Sequence, residues 1–383
     1  MVISLKQFGT QAGRRLAELA SREPFFFIIA VCTIALSFFS RPHFSAVHWD
    51  VIATLFSLML VCQGFERCGL LGSLAGAAAG MFRTQRALGA SLIAATGLLA
   101  MFVTNDVSLF TVVPLTIAIA SAGGEDPFLL IILETASANV FSALTPFGNP
   151  QNLYLYSCFH ISPAGFFRAT LPLCLFGGAL LFGINAVWNR GGMHCTEKPE
   201  FEISDRILLF GSGAAFLLNT LSVLRVLDFR AALAATAILF LLCAPRLFFK
   251  VDYFLLLTFV LFFLFTSSIT GIPAVRAFFS GALRSGTAVL FYSAGLSQVL
   301  SNVPAAVLLS GFTSHWRELL CGVSAGGLGT PVASLASVIS YKLYVRRYPS
   351  GGRYLKVFSA VNFSVLLLTL AALWALGRFA PGW

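Results

Sequence analysis

Charge is what this sequence has least of. Of its 383 residues only 10% are Asp, Glu, Lys or Arg and 58% are hydrophobic, whereas ordinary soluble domains carry roughly 25% charged residues. Too little polar surface remains to cover a globule in water, and the chain belongs in a membrane. Paired cysteine motifs are missing as well. The eight cysteines form no CxxC, and Cys32, Cys62, Cys158, Cys174, Cys243 and Cys321 lie in or beside apolar runs, so neither a disulfide framework nor a zinc cluster is supported. HExxH, GxSxG and GxxxxGK[ST] are absent, and His43, His48, His160, His194 and His315 fall in expected loops or span ends. Nothing therefore argues for hydrolysis or ATP use; the chain is not expected to be an enzyme or to carry a cofactor. The apolar run 24 to 40 ends in Ser40-Arg41-Pro42 without a small-x-small cleavage site, which favours a retained signal anchor over a cleaved signal peptide.

A hydrocarbon core about 30 Å thick needs roughly 20 apolar residues per helix. Nine crossings are expected, at 24–40, 50–66, 127–158, 165–188, 206–224, 229–245, 251–270, 315–344 and 356–377. Two more apolar stretches, 87–121 and 285–313, are interrupted by Thr104-Asn105-Asp106 and by Ser301-Asn302-Val303-Pro304. Their halves read as too short to cross singly, so both are expected to be re-entrant helical hairpins.

The net charge of +10 would suggest nucleic acid in a soluble protein, but here it reports topology and no nucleic-acid partner is expected. With the N-terminus in the cytoplasm and both hairpins returning to the side they enter, seventeen of the 25 basic residues fall on the inner side and eight on the outer. This predicts an integral protein of the cell (plasma or inner) membrane with its C-terminus outside. The order hairpin, interrupted span, final span occurs twice and in opposite orientation, as in alternating-access transporters. The expected organisation is an amphipathic cytoplasmic lead at 1–23, a first repeat at 24–188, a cytoplasmic linker at 189–205 and a second repeat at 206–383. The fold class is all-α, polytopic, with an inverted repeat.

Each interruption carries a helix-start signal in the middle of an apolar stretch. Thr104-Asn105-Asp106 is placed to cap the second arm of the first hairpin, and Ser301-Asn302, with Pro304 in the first turn, that of the second. In SALTPFGNPQN (142–152) Asn149 can cap a helix starting at Pro150, and in SAGGLGTP (324–331) Thr330 and Pro331 take the same parts. Four helix N-termini would then face one cavity, where free N–H groups favour an anion and neighbouring carbonyl and side-chain oxygens suit Na⁺. Single breaks of this kind also serve as packing kinks; four in a repeated order point to a site. Asp106, an acid at membrane depth, fits a coupling cation or a proton, or simply caps its helix. Glu134 is a second buried acid, readable also as a partner for a neighbouring polar group. Glu66, Arg67, Arg206 and Asp252 fall at span ends and are assigned no function. Residues 69–84, GLLGSLAGAAAGMFRT, read as an arm helix on the inner surface or a close-packed interface.

At these motifs the chain resembles the ion transporter superfamily, which includes citrate-transporter-like permeases, arsenite permeases and divalent-anion:sodium symporters. The resemblance rests on FVTNDVSLFTVVP (102–114), TPFGNPQN (145–152), Ser301-Asn302-Val303-Pro304 and Gly326 to Pro331, and runs over roughly 50 to 345. It implies an elevator-type secondary transporter, often a homodimer, with substrate between the hairpin tips and broken helices. Substrate and ion contacts would map onto Thr104, Asn105, Asp106, Ser142, Thr145, Gly148, Asn149, Asn152, Ser301, Asn302, Gly329 and Thr330. Na⁺ would have Asn105, Asp106, Thr145, Asn149, Asn302 and Thr330 as candidate ligands. Dicarboxylate symporters carry Ser-Asn-Thr at both tips; Asp106 and Val303 replace those threonines here, which favours an inorganic oxyanion, arsenite or cation exchange. The expectation is a permease for a small inorganic or carboxylate anion coupled to Na⁺ or H⁺. The alternatives are a sodium/proton antiporter on the same fold and, from another class, an integral-membrane transferase.

Overall fold

The computed structural model describes residues 24–38, 40, 43–80, 84–122, 125–188 and 202–379. The lead at 1–23 and all but the last residues of the 189–205 linker lie outside them. Every regular element among the described residues is helical, and the chain is an all-α polytopic membrane protein.

The first part runs α1 (Pro24–Ser37), α2 (Trp49–Arg67), α3 (Leu70–Gly80), α4 (Gln85–Val103), α5 (Asn105–Ala122), α6 (Phe128–Phe141), α7 (Pro150–Cys158) and α8 (Pro163–Trp188). The second runs α9 (Arg206–Val223), α10 (Phe229–Cys243), α11 (Tyr253–Thr270), α12 (Pro273–Ala282), α13 (Gly286–Leu300), α14 (Asn302–Ser310), α15 (Trp316–Gly326), α16 (Leu335–Val345) and α17 (Gly351–Phe379). Polar residues mark where helices begin. Thr84, Asp205, Asp252 and Ser285 each accept a hydrogen bond from the backbone N–H three residues on, at 3.3, 2.9, 2.9 and 3.2 Å, which supplies one of the N–H groups that every helix start leaves free.

Among the described residues six helices are long and apolar enough to cross a bilayer: α2, α4, α8, α9, α11 and α17. The presence of α4 among them corrects one expectation. At 19 residues this arm of the first hairpin is long enough to span by itself, because the helix runs unbroken through its small residues to Val103. It still forms a hairpin: a single residue, Thr104, separates it from α5, and the two helices pack together. The second hairpin is shorter, with arms of 15 and 9 residues. Ahead of it lies α12, which a search for spans of roughly 20 apolar residues passes over because it has only 10 residues; none of them is buried. It occupies the place that α3 holds ahead of the first hairpin, so the repeated order begins one helix earlier than expected.

Contacts sort the helices into two groups. One holds α1, α2, α9, α10 and α11, which pack on one another. The other interleaves the two hairpins and the two broken helices: α14 meets α7, α15 meets α8, and α16 meets both α5 and α6. Lipid offers no hydrophobic drive between helices, so small residues and interhelical hydrogen bonds carry part of the packing. In the first group, buried Asn219 of α9 donates to the hydroxyl of Thr236 on α10 at 2.9 Å and to the carbonyl of Ala215 at 2.8 Å. Asn219→Ala is expected to cost about 1 kcal/mol, read as a lowered midpoint of thermal unfolding in detergent, while Thr236→Val, which leaves the Ala215 bond, costs less.

Candidate functional site

Each hairpin turns on one residue in an unusual backbone conformation. Thr104 has φ 78° and ψ 152°, and Ser301 has φ 73° and ψ 158°. Outside glycine this region is sparsely populated and costs on the order of 1–3 kcal/mol, so the surroundings must hold both tips. They do so by parallel means. In the first half Thr145 donates its hydroxyl to the carbonyl of Met101, three residues before the tip. In the second half Thr330 donates to the carbonyl of Gln298, also three residues before its tip, at 3.0 Å. The broken segment then touches the tip itself: the N–H of Asn105 donates to Gly148 O at 3.2 Å, and Ser301 Oγ donates to Ala333 O at 3.1 Å.

Behind these contacts the broken backbone is tied down by side chains. Asn152 Nδ2 donates to the carbonyls of Ser142 at 2.9 Å and Thr145 at 3.1 Å. Gln298 Nε2 donates to the carbonyls of Gly326 at 2.8 Å and Leu328 at 3.0 Å, and its Oε1 accepts from the N–H of Thr330 at 2.9 Å. Gly148 and Gly329 are required by this arrangement. A Cβ on Gly148 would lie 2.7 Å from Ser142 Cα and 2.8 Å from the Ala100 carbonyl, and Gly329 adopts φ 102° beside Gln298.

One prediction shifts. Pro331 opens only a three-residue 3₁₀ turn (Pro331–Ala333), and the continuing helix α16 starts at Leu335 with Ser334 at the N-cap. Thr330 is engaged with Gln298 instead of capping a helix. The other start holds: α7 begins at Pro150 with Asn149 at its N-cap, although the Asn149 side chain donates to Ser142 Oγ at 3.4 Å and makes no cap bond.

The four N-termini meet. A cavity of about 110 Å³ is lined by Asn105 and Asp106 of α5, Asn149 and Pro150 at α7, Ser301 to Pro304 at α14, and Ser334 and Leu335 at α16. Its far wall is Asp252, Leu255, Thr258, Phe259 and Phe262 of the first helix group. A second cavity of about 410 Å³ shares Asp106, Asn149 and Asp252 with it and reaches Thr104, Glu66 and Lys250. The two halves are stitched by side chains beside this space. Asn139 Oδ1 of α6 accepts from Asn105 Nδ2 at 3.1 Å and from Ser334 Oγ at 2.9 Å, and Ser324 Oγ of α15 lies 3.4 Å from Asn152 Oδ1.

Of the residues singled out from the sequence, Thr104, Asn105, Asp106, Asn149, Ser301 and Asn302 line the cavities. Ser142, Thr145, Gly148, Asn152, Gly329 and Thr330 do not; they hold the broken segments in place from behind. Three wall or linking residues were not foreseen. Ser334 was masked by the stronger Thr330-Pro331 signal just before it, Asn139 sits in an uninterrupted apolar helix, and Asp252 reads as a span-end acid without function, whereas it caps α11 and faces the cavity. The acids matter for electrostatics. Asp106 keeps Oδ1 buried without a hydrogen-bond partner, Asp252 and Glu66 stand on the opposite wall, and Lys250 is the basic side chain of the larger cavity. Among the described residues no three His, Cys, Asp or Glu side chains gather as a metal site; hydroxyl, amide and backbone oxygens with one or two carboxylates are a donor set for an alkali cation.

Residues 16–315 match the family described as "Citrate transporter". The chain is 33% identical to the "Inner membrane protein YbiR" of Escherichia coli over 83% of its own length and 87% of that protein's. It is 34% identical to a transporter of Methanocaldococcus jannaschii, over 78% of this chain and 82% of the relative. A transporter of Dictyostelium discoideum named arsB is similar over a shorter stretch, 22% identical over 36% of this chain and 24% of that protein.

The tip geometry makes a prediction of unusual sign. Thr104 makes no side-chain hydrogen bond in the cavity wall, so Thr104→Gly should release backbone strain and raise stability by about 1 kcal/mol after the entropy cost of glycine. Gly148→Ala should lower it by about 1–3 kcal/mol through overpacking. Both are read from detergent unfolding curves.

Proposed function

The chain belongs to the citrate transporter family of membrane transporters, and from that premise we propose that it is a secondary active permease for a small inorganic or carboxylate anion, coupled to Na⁺ or H⁺. The supporting observation is the convergence of four helix N-termini on one cavity. Free N–H groups and the positive end of each helix dipole suit an anion there. The anion sits between Asn105, Asn149, Asn302 and Ser334. A coupling cation is held beside it by Asp106 with carbonyl and amide oxygens of the tips and broken helices, drawn from Asn105, Asn149 and Asn302; Thr145 and Thr330, which stand behind the wall, hold those segments in place.

Transport proceeds by alternating access of the elevator type, the hairpin group sliding along the group that contains α11. Asp252 and Glu66 belong to the stationary wall and face the site in one state only, so the field at Asp106 differs between the two ends of the stroke. The N-terminus is cytoplasmic and the C-terminus outside, as the basic residues require, and the protein works as a homodimer in lipid. One observation favours sodium/proton antiport as a second reading: the buried, unpartnered oxygen of Asp106 is a place for a titrating proton that a pure anion site would not need.

The test is thermal unfolding of purified protein with arsenite, sulfate, phosphate, citrate, succinate or malate, each in NaCl and in choline chloride. A bound ligand at about 100 times its Kd adds roughly 2.7 kcal/mol of apparent stability. The permease is expected to be stabilised by one anion, more strongly with Na⁺ if sodium is the coupling ion. Stabilisation by Na⁺ alone, lost in Asp106→Asn, replaces the permease reading with the antiporter.

A further inference from the structure

A second buried acid lies away from the cavity. Glu134 of α6 is fully buried; Oε1 accepts a 2.5 Å hydrogen bond from Thr116 of α5, and Oε2 is buried with no partner. A bare carboxylate in this position is expensive in a membrane interior unless it is paired. Its titratable neighbours are few. Tyr354 of α17 faces it and donates to Ser340 of α16 at 3.2 Å. Cys174 of α8 bonds the carbonyl of Val140 further along α6. At the start of α6, Asp126 accepts from Tyr344 of α16 at 3.0 Å, and Arg353 of α17 lies 4.4 Å from the Phe128 ring. The ring of Tyr344 stacks on Tyr354 at 4.7 Å and on Tyr348 at 5.2 Å. Asn362 Oδ1 of α17 and Ser337 Oγ of α16 are buried without partners in the same helix group.

The pair bridges α5, which lines the cavity, and α6, which supports it through Asn139. Thr116 and Asn105 are both on α5, and Glu134 and Asn139 are both on α6. The Glu134 to Thr116 bond and the Asn105 to Asn139 bond are therefore two clamps on one helix pair, the second of them at the cavity.

We propose that Glu134 is a proton-binding site separate from the substrate cavity, linked to its occupancy through the α5–α6 pair. The proton is carried as an O–H bond at Oε2, taken from and returned to bulk water, with no other bond changed; Oε1 keeps its bond from Thr116 in both forms. The linkage to transport rests on the permease reading above; the proton site does not. A glutamate that merely glues α6 to α5 would serve equally well as glutamine, which keeps the oxygen that Thr116 needs.

Two measurements separate these cases. Infrared difference spectra of the native protein across a pH titration should show a protonated-carboxyl C=O band that shifts in D₂O, vanishes in Glu134→Gln and moves to higher frequency in Thr116→Val. In the same variants, stabilisation by the active anion should change roughly tenfold in apparent Kd per pH unit across the native titration and become flat in Glu134→Gln with binding retained. A carboxyl band unaltered by Glu134→Gln, or a pH profile unchanged by it, overturns the proposal. If no anion binds, the permease reading falls, and the infrared arm still decides the proton site. If Glu134→Gln does not fold, the band shift in Thr116→Val decides it instead: a band that does not move overturns the proposal.

Discussion

Everything in this molecule depends on finding partners for backbone groups where no water is available. Within the hydrocarbon region an unpaired N–H or C=O costs several kcal/mol, so a helix can be interrupted only where its loose ends are buried in protein or line a cavity. This chain interrupts its helices four times at depth, and each break is paired. Asn152 takes up the carbonyls of Ser142 and Thr145; Gln298 takes up those of Gly326 and Leu328; Thr145 and Thr330 reach back to Met101 and Gln298. What remains are the first turns of α5, α7, α14 and α16, which line the shared cavity; of their N–H groups, that of Asn105 is taken by Gly148 O and that of Val303 by Asn302 Oδ1, and Pro150 and Pro304 carry none. A cavity of this composition follows from spending side-chain donors on the carbonyls and leaving the remaining N–H groups of these turns unspent.

The two halves solve the problem by the same plan with different residues. Equivalent threonines anchor both tips, and both tips hold a non-glycine residue at positive φ. Elsewhere the pairs diverge: Asp106 stands where Val303 does in the second half, and a side-chain amide in one half faces a hydroxyl in the other where Asn139 meets Ser334 and Ser324 meets Asn152. A symmetric pair of halves would give a symmetric field. Placing a carboxylate where the other half has a valine makes the field of the cavity unequal along its length, as the proposed site for two unlike ions would require.

How much of this could be read from the sequence follows the same physics. Asn, Asp, Ser, Gly and Pro in the middle of apolar runs stand out because membrane helices have no use for them, and so both hairpins and both breaks were legible to within a few residues. Thr145 and Thr330 were found too, although their place behind the cavity wall was not evident: a hydroxyl that faces substrate and one that holds a loop look alike in a string of letters. Ser334 was hidden because Thr330-Pro331 carries the stronger start signal and produces only one 3₁₀ turn. Asn139 and Asp252 were hidden for a different reason. One lies in an unbroken helix and the other at a helix start, and what makes them part of the site is the approach of a segment far away in the chain. The same holds for Glu134, whose partner Thr116 gives no signal of its own.

The charge balance of the cavity bears on the proposed coupling. Each helix N-terminus is equivalent to about half a positive charge, so four of them supply about two, and Asp106 and Asp252, when ionised, supply two of the opposite sign. The empty cavity is then close to neutral, and neither an anion nor a cation entering alone finds a net attraction to offset its lost hydration. An anion at the N-termini leaves the carboxylates uncompensated; a cation or proton at the carboxylates leaves the N-termini so. Bound together, each is stabilised against the half of the field that suits it. On the proposed elevator stroke, sliding the hairpin group away from α11 would remove Asp252 from that balance and shift it toward holding the anion, so the same few charges that would make the two proposed ligands interdependent would also make their affinity depend on position along the stroke.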